Sequence, residues 1–327
     1  MGKIDFVILW VDGNEPNWQR EFQAHSLKER GAKSSVRFRD WDNLQYWFRG
    51  VENYAPWVNN IFFITSGHVP NWLNLNAPNL KVINHSDYIP NDILPTFSSN
   101  TIEMYLHKIE ELSEHFVLFN DDFFIINHVD KDRFFKKKFP CDISAFNVYH
   151  GRDLSTNNMC NIELLNKHFD KRKSLKKHFF KWFSIQNNKL LIRTLLLLPW
   201  PDFVGFYDHH LPQPFLKSTF KEVWEKEGDA ISQSIKYRFR QRTNITQYLV
   251  RYWQLASGKY HCTNVFKDSV YFQIDQDNLN LAVNTIRNQS KKIIVLNDKE
   301  NIDFENSKEL INLAFSDILP LKSKFEI

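Results

Sequence analysis

The sequence predicts an α/β fold, a mostly parallel sheet with helices on both faces and a helical insertion, on three observations. Through the first 140 or so residues, apolar and β-branched runs of strand length alternate with helical patterns, as in a parallel sheet with crossover helices. Two of those runs stop abruptly at carboxylates: Ile4–Val11 at Asp12, and Phe116–Phe119 at Asn120-Asp121-Asp122. In an open α/β sheet, ligands bind outside the carboxyl ends of the strands, so acids placed there point into a site. From about Cys141 the alternation fades into an aromatic, basic and mostly helical stretch that lasts until roughly Gly258.

The elements follow in order. Phe6–Val11 reads as the first strand. In Asn43–Tyr54, Leu44, Trp47, Phe48 and Val51 fall at i, i+3, i+4 and i+7, one face of a helix. Ile61–Thr65 and Lys81–Asn84 are strand-like. Thr101–Glu111 carries Ile102, Tyr105, Leu106 and Ile109 at helical spacing behind a Ser98 or Ser99 cap, and would set Glu103 and His107 on one face. Phe116–Phe119 is the last strand of this half. Pro199-Trp200-Pro201 and Pro212-Gln213-Pro214 read as breaks, and Lys291–Asp298 as a strand expected to rejoin the first sheet. The organisation expected is 1–140 as the ligand-binding α/β half, 141–260 as the insertion, and 261–327 as a segment returning to the core.

Bulk properties narrow the class. At 327 residues the chain can bury a core without staples, and three cysteines at no metal-type spacing suit a reducing cytosol. Met1-Gly2-Lys3 runs straight into a strand, so export through a signal peptide is not expected. Nine glycines include no G-x-G-x-x-G or Walker-type loop, which speaks against a Rossmann dehydrogenase or a P-loop kinase. No stretch reaches the roughly 18 to 20 apolar residues that cross a bilayer. The longest apolar run, Leu190–Leu198, suits a buried helix or a lipid-facing patch. The net charge of +4 is unevenly spread. Much of it lies in Lys167–Lys181, where lysines alternate with Phe169, Phe179, Phe180 and Trp182. Such a segment suits an anionic membrane surface, a phosphate-rich polymer, or a solvated helix with one aromatic face.

The polar residues that interrupt this frame are Asp5, Asp12, Arg37, Arg39, Asp40, Arg49, Asp87, Asn100, Glu103, His107, Asn120-Asp121-Asp122, His209-His210, Arg238-Arg240-Arg242 and Asn297-Asp298. Carboxylates hold hard cations such as Mg²⁺ or Mn²⁺, arginines clamp phosphate bidentately, and a His or Asp moves a proton. A nucleotide-dependent transferase uses all three kinds of group.

In these residues the chain resembles the Stealth family of sugar-1-phosphate transferases, which includes bacterial capsular polysaccharide phosphotransferases and the animal lysosomal-enzyme N-acetylglucosamine-1-phosphotransferase. Ile4–Asn14 resembles the first of four blocks. The second is matched by Arg37-Phe38-Arg39-Asp40 through Arg49, Ala55-Pro56-Trp57-Val58, Ile64-Thr65-Ser66-Gly67, His85-Ser86-Asp87, Leu94–Asn100, Glu103, His107 and Asn120-Asp121-Asp122. Asp208-His209-His210-Leu211-Pro212 with Arg238–Arg242 resembles the third, and Leu296-Asn297-Asp298 with the tail to Glu326 the fourth. The chain departs from the family at Asn43-Leu44-Gln45-Tyr46, where Glu-Leu-Arg-Tyr is usual.

The resemblance implies a nucleotide-sugar-binding sheet and transfer of hexose- or N-acetylhexosamine-1-phosphate from a UDP-sugar to an acceptor hydroxyl. The product is a phosphodiester in capsular or exopolysaccharide, with release of UMP. It implies Mg²⁺ or Mn²⁺ held by Asp12, Asp121 and Asp122, and catalysis by Asp121, Asp122, His210 and Arg240, with the general base open among the second acidic end and His210. Asp12, Gly13, Arg39, Arg49, Asn100, Glu103, His107, Asn120, Asn297 and Asp298 would bind substrate. Expected partners are a UDP-sugar and a glycan or lipid-linked glycan, with peripheral contact to an anionic membrane at the cytoplasmic face and no nucleic acid. The insertion would serve the acceptor or the membrane. A metal-dependent glycosyltransferase that releases UDP uses the same residue types, and a non-catalytic binding module would rest on Lys167–Lys181 alone.

Overall fold

β1 (Ile4–Leu9) runs through the middle of the main sheet because it is apolar on both faces, and both faces are covered. The computed structural model describes residues 2–29, 31, 38–151, 155–299 and 302–327. Arg37 of the second resemblance block lies outside them. After β1 comes α1 (Pro16–Ser26), which starts where Pro16 fixes the first turn and the Glu15 carboxylate accepts the Trp18 N–H. α2 (Leu44–Tyr54) buries Leu44, Trp47, Phe48 and Val51, the stripe its spacing predicts. β2 (Ile61–Thr65), β3 (Leu80–Asn84), α3 (Ser99–Met104) and β4 (His115–Phe119) complete the half. The strand order is β3-β2-β1-β4, all parallel.

α3 is shorter than its apolar spacing predicts. The Met104 carbonyl, which would continue the helical ladder, is taken by the Trp224 indole N–H at 2.8 Å and lies 3.2 Å from His107 Nδ1. The chain tightens into a single 3₁₀ turn at Leu106–Lys108, so Glu103 and His107 do not share a helix face.

Beyond β4 the chain adds β5 (Phe123–Ile125), β6 (Phe135–Lys136) and β7 (Phe139–Asp142), then α4 (Ser155–His168), α5 (Lys171–Lys177), α6 (Phe179–Trp182) and α7 (Leu190–Leu196). The Pro212–Pro214 break then proves to be β8 (Gln213–Leu216), an edge strand antiparallel to β4 with Leu118 opposite Gln213. An edge strand tolerates Pro214 because one row of its backbone groups needs no sheet partner. α8 (Lys217–Ile235), kinked at Glu227, and α9 (Gln247–Ser257) follow. β9 (His261–Cys262) pairs with β7. β10 (Ser269–Gln273), α10 (Leu279–Arg287), β11 (Ile293–Asn297) and α11 (Phe304–Ile318) close the chain. β11 does not rejoin the first sheet. It is the centre of a second, three-stranded sheet in the order β10-β11-β5.

The two-residue alternation of β1 divides the core. Phe6 and Ile8 face α2, the second sheet and α11, through Phe48, Ile293, Val295 and Phe315. Val7 faces the other way, onto Ile102 of α3, Phe220 of α8 and Leu249 of α9. The helical insertion is therefore the second layer of the same sheet. Asp5, in the middle of an apolar strand, is structural: its carboxylate accepts from Asn59 Nδ2, Asn60 N and Ser113 N at 2.7, 3.1 and 2.8 Å.

Candidate active site

The carboxyl end of β4 delivers Asn120-Asp121-Asp122 to one edge of the sheet. Because β8 runs antiparallel to β4, the segment before it, Asp208-His209-His210, arrives at that same edge. There His210 Nε2 lies 3.3 Å from Asp122 Oδ2. Phe123 and Tyr271 meet the His210 ring edge to face at 4.8 and 5.7 Å. β11 is tied in by Leu296 N–H donating to the Asp122 carbonyl at 3.0 Å. Asp121 stands in the cleft, crowded by protein yet open to the water there, and that crowding together with the Asp122 charge raises its pKa above the ordinary carboxylate range.

Two adjoining cavities, of about 830 and 860 Å³ with their open mouths included, share Ser99, Asn120 and Arg240 at their boundary. The first is aromatic, walled by Trp10, Trp18, Phe38 and Phe97, with Asp121 on its rim. The second is polar, walled by Asn100, Glu103, Asn157, Asn158, Asp208, His210 and Tyr248. Arg240 hydrogen-bonds the Ser99 hydroxyl at the junction.

Glu103 is buried and one of its carboxylate oxygens, Oε2, has no hydrogen-bond partner. Burial lifts its pKa to about 7, against the pull of Arg240, the Ser99 hydroxyl and His210. Its folded-state pKa thus lies above the ordinary 4.5. The stability tied to that proton is present in full below about 4.5 and is lost as pH rises through about 7. Glu103→Gln keeps the shape without the titration. Thermal melts across this range are expected to show wild type losing ground to Glu103→Gln as pH rises, and parallel curves would remove Glu103 as the cause.

A buried ionic network holds the 208–210 segment. Arg251 donates to both Asp142 oxygens at 2.7 and 3.0 Å and to Asp208 Oδ1 at 2.9 Å. His209 Nε2 lies 3.0 Å from Asp142 Oδ1. Asp208 Oδ2 accepts from the hydroxyls of Tyr149 and Tyr252 at 2.6 and 2.8 Å. Burial would raise the Asp142 pKa, but the Arg251 guanidinium and His209 outweigh it and bring it down to about 2. His209 is therefore part of the brace, and His210 beside it is the one that reaches the cleft. Asn158, Tyr248 and Arg251 were not anticipated as site or bracing residues.

The remaining expected residues divide. Asn100 and Asn120 line the cleft. Asn297 ends β11 beside Tyr271, with its amide on the Asp298 carbonyl. Asp298 pairs with Arg39 at 3.5 Å, and Arg39 also lies over the Phe304 ring. Asp12 lines a neighbouring cavity with Glu15, Asp40 and His68, where His68 Nε2 accepts its backbone N–H. Gly13 is fixed by packing, since a Cβ there would collide with the Phe38 carbonyl. Arg49 is committed elsewhere. Its guanidinium grips both Glu326 oxygens at 2.8 and 2.6 Å and the Leu319 carbonyl at 2.8 Å, clasping the C-terminal tail. His107 turns away too, its ring against Phe220 and Trp224, and burial lowers its pKa to about 4.

Among the described residues no three His, Cys, Asp or Glu side chains gather closely enough to hold a metal ion, so the expected trio of Asp12, Asp121 and Asp122 does not assemble. Asp121 and Asp122 alone fit the way Mg²⁺ binds, through one or two carboxylates, several waters and the phosphates of a substrate rather than a protein cage.

Residues 2–24 match the profile of Stealth protein CR1, conserved region 1, and residues 37–142 that of Stealth protein CR2, conserved region 2. The capsular polysaccharide phosphotransferase WcwK of Streptococcus pneumoniae is 43% identical over 332 residues, covering 100% of this chain and 98% of the relative. The exopolysaccharide phosphotransferase cps2G of Lactiplantibacillus plantarum is 36% identical, covering 99% and 96%. Among solved structures the galactosyltransferase LgtC, in complex with donor and acceptor sugar analogs, aligns over 95% of both chains at a TM-score of 0.42 and 8% identity.

Proposed function

The chain belongs to the Stealth family and is an enzyme, and from that premise we propose that it transfers hexose- or N-acetylhexosamine-1-phosphate from a UDP-sugar to a hydroxyl of a glycan or lipid-linked glycan in capsular or exopolysaccharide synthesis at the cytoplasmic face of the membrane. The observation that carries this reading is His210, which lines the polar cavity and is paired behind it with Asp122, with Arg240 at the boundary with the aromatic cavity. The aromatic cavity suits a nucleobase and ribose, and the polar cavity an acceptor sugar.

Asp122 takes the Nε2 hydrogen of His210 and so fixes the tautomer, leaving Nδ1 to receive the acceptor hydroxyl proton. The acceptor oxygen then bonds to the sugar-linked phosphorus, and the bond from that phosphorus to the bridging oxygen breaks, so UMP departs. Arg240 neutralises charge where it develops on the diphosphate, and Ser99 orients it. A Mg²⁺ or Mn²⁺ ion held by Asp121 and Asp122 would add charge neutralisation at the phosphates. Because catalysis of this kind is mostly positioning, the residues at hand suffice in type.

The test is product identity. Incubation with a panel of UDP-sugars and a soluble acceptor is expected to yield UMP and to stop in EDTA. Release of UDP would replace this reading with a glycosyltransferase.

A further inference from the structure

Residues 171–201 contain eight lysines and arginines and no Asp or Glu. The same stretch exposes large apolar side chains on α6, α7, the turn between them and the segment after α7. Phe180 and Ile185 are 89% and 86% exposed, and Phe179, Ile192, Leu196 and Trp200 are exposed with them. The frame beneath is fixed. Lys171, expected at the surface, is instead buried, and its ammonium clamps the carbonyls of Leu197 and Trp200 at 2.7 and 2.6 Å. Phe146 N–H donates to Thr194 Oγ1 at 3.1 Å, and Trp182 is wholly buried. These apolar groups are thus presented to water by a braced element, and a patch of that kind marks an interaction surface.

We propose that this face docks on a bilayer that carries anionic phospholipid. The apolar side chains enter at headgroup level, and Lys173, Lys176, Lys177 and Lys189 around them meet the lipid phosphates. Charge selects the occupant. A second copy related by a two-fold axis would press this cationic face against itself with no acid to offset it. A nucleic acid would meet the lysines but leave the aliphatic side chains wet. α7 is seven residues long, and among the described residues no helix is long and apolar enough to cross a membrane, so the contact lies on the surface. Arg193 joins the patch to the cleft: it donates to Asn147 and sits over Tyr207, the residue before Asp208. A lipid-linked acceptor would then arrive beside the polar cavity, a clause that rests on the proposed function, whereas the docking itself does not.

The test is co-sedimentation of the full chain with phosphatidylcholine vesicles, with and without phosphatidylglycerol. Binding is expected only with phosphatidylglycerol. Replacing Phe180, Ile185, Leu196 and Trp200 together by Ser is expected to weaken it at least about tenfold. Lys173→Gln, Lys176→Gln and Lys177→Gln are each expected to cost about fivefold at low salt, less as salt rises. Phe180→Ser alone serves if the fourfold variant melts early. Absence of wild-type binding to the anionic vesicles, or variants that bind unchanged, overturns the proposal. So does a dimer that the apolar variant dissociates while vesicle binding persists. Turnover on a soluble acceptor is expected to stay at the wild-type level, which separates this result from any failure of the enzymatic reading.

Discussion

Asp121→Asn and Asp122→Asn are each expected to lower turnover at least about a hundredfold while the protein stays folded. Both side chains stand at a strand end in the cleft rather than in the core, so the loss of a charge there removes no packing. The two variants should differ in kind. Asp122 orients His210 across 3.3 Å, so its amide leaves the ring without the acceptor that fixes its tautomer, and transition-state stabilisation suffers more than donor binding. Asp121 belongs to the aromatic cavity, and its replacement should weaken both the response to divalent cation and the affinity for a UDP-sugar. His210→Gln should resemble Asp122→Asn. Turnover, melting temperature and UDP-sugar affinity measured on all three decide the matter: wild-type turnover in a stably folded variant strikes that residue from the mechanism.

The second large effect is on stability. Arg251→Met leaves two buried carboxylates, Asp142 and Asp208, without their cation, and losing one member of a buried ionic network typically costs about 3–5 kcal/mol. That corresponds to a drop in melting temperature of roughly 4–7 °C for a chain of this size. Asp142→Asn strands Arg251 on one side and should cost less, because Asp208 still faces the guanidinium. The pH dependence has a definite sign. Asp142 is held at about 2 against an ordinary 3.8, so its contribution is present above about 3.8 and is lost as pH falls toward 2. Urea titrations of wild type and Asp142→Asn in acid should therefore converge. A constant gap between them would mean that the Asp142 charge adds nothing.

The main sheet was legible because a strand covered on both faces must be apolar throughout and must stop where the chain turns to solvent. Ile61–Thr65 and Phe116–Phe119 show both signs. β8 was not legible, since Pro212-Gln213-Pro214 carries the marks of a break and its place depends on β4, about a hundred residues earlier. β10 gave no clear sign either: the five residues Ser269–Gln273 bury Ser269 and Phe272 but not Tyr271, so they show neither a clean alternation nor a continuous apolar run. At the candidate site, Asn120-Asp121-Asp122 is marked in the sequence by its place at a strand end, while His209-His210 and Arg238-Arg240-Arg242 are marked only as polar groups, and nothing in their spacing says which member faces the cleft. Arg49 misled because an arginine on a helix gives no sign of its partner, which here is Glu326 at the other end of the chain. Arg251 had a signal that went unread. It is the one charge in Gln247–Ser257, a helix otherwise built of apolar, aromatic and uncharged polar residues, and a cation in such a place has to find buried acids.

The antiparallel pairing of β8 with β4 also sets an order of events in the life of the chain. Asp122 is synthesised early, and β4, which leads into it, can pair with β1 once both have left the ribosome, whereas β5 on its other side waits for β11. The histidine partner of Asp122 is fixed only when residues 213–216 seat on the sheet edge, after the α4–α7 region has been made and folded back. Closing so long a loop is among the slower steps in assembling a domain, and a slip of one residue in that register would turn alternate side chains to the wrong face. A chain in which β8 has not seated therefore carries Asp122 without the His210 contact, so the acidic strand end and the histidine meet only once this long-range pairing is made.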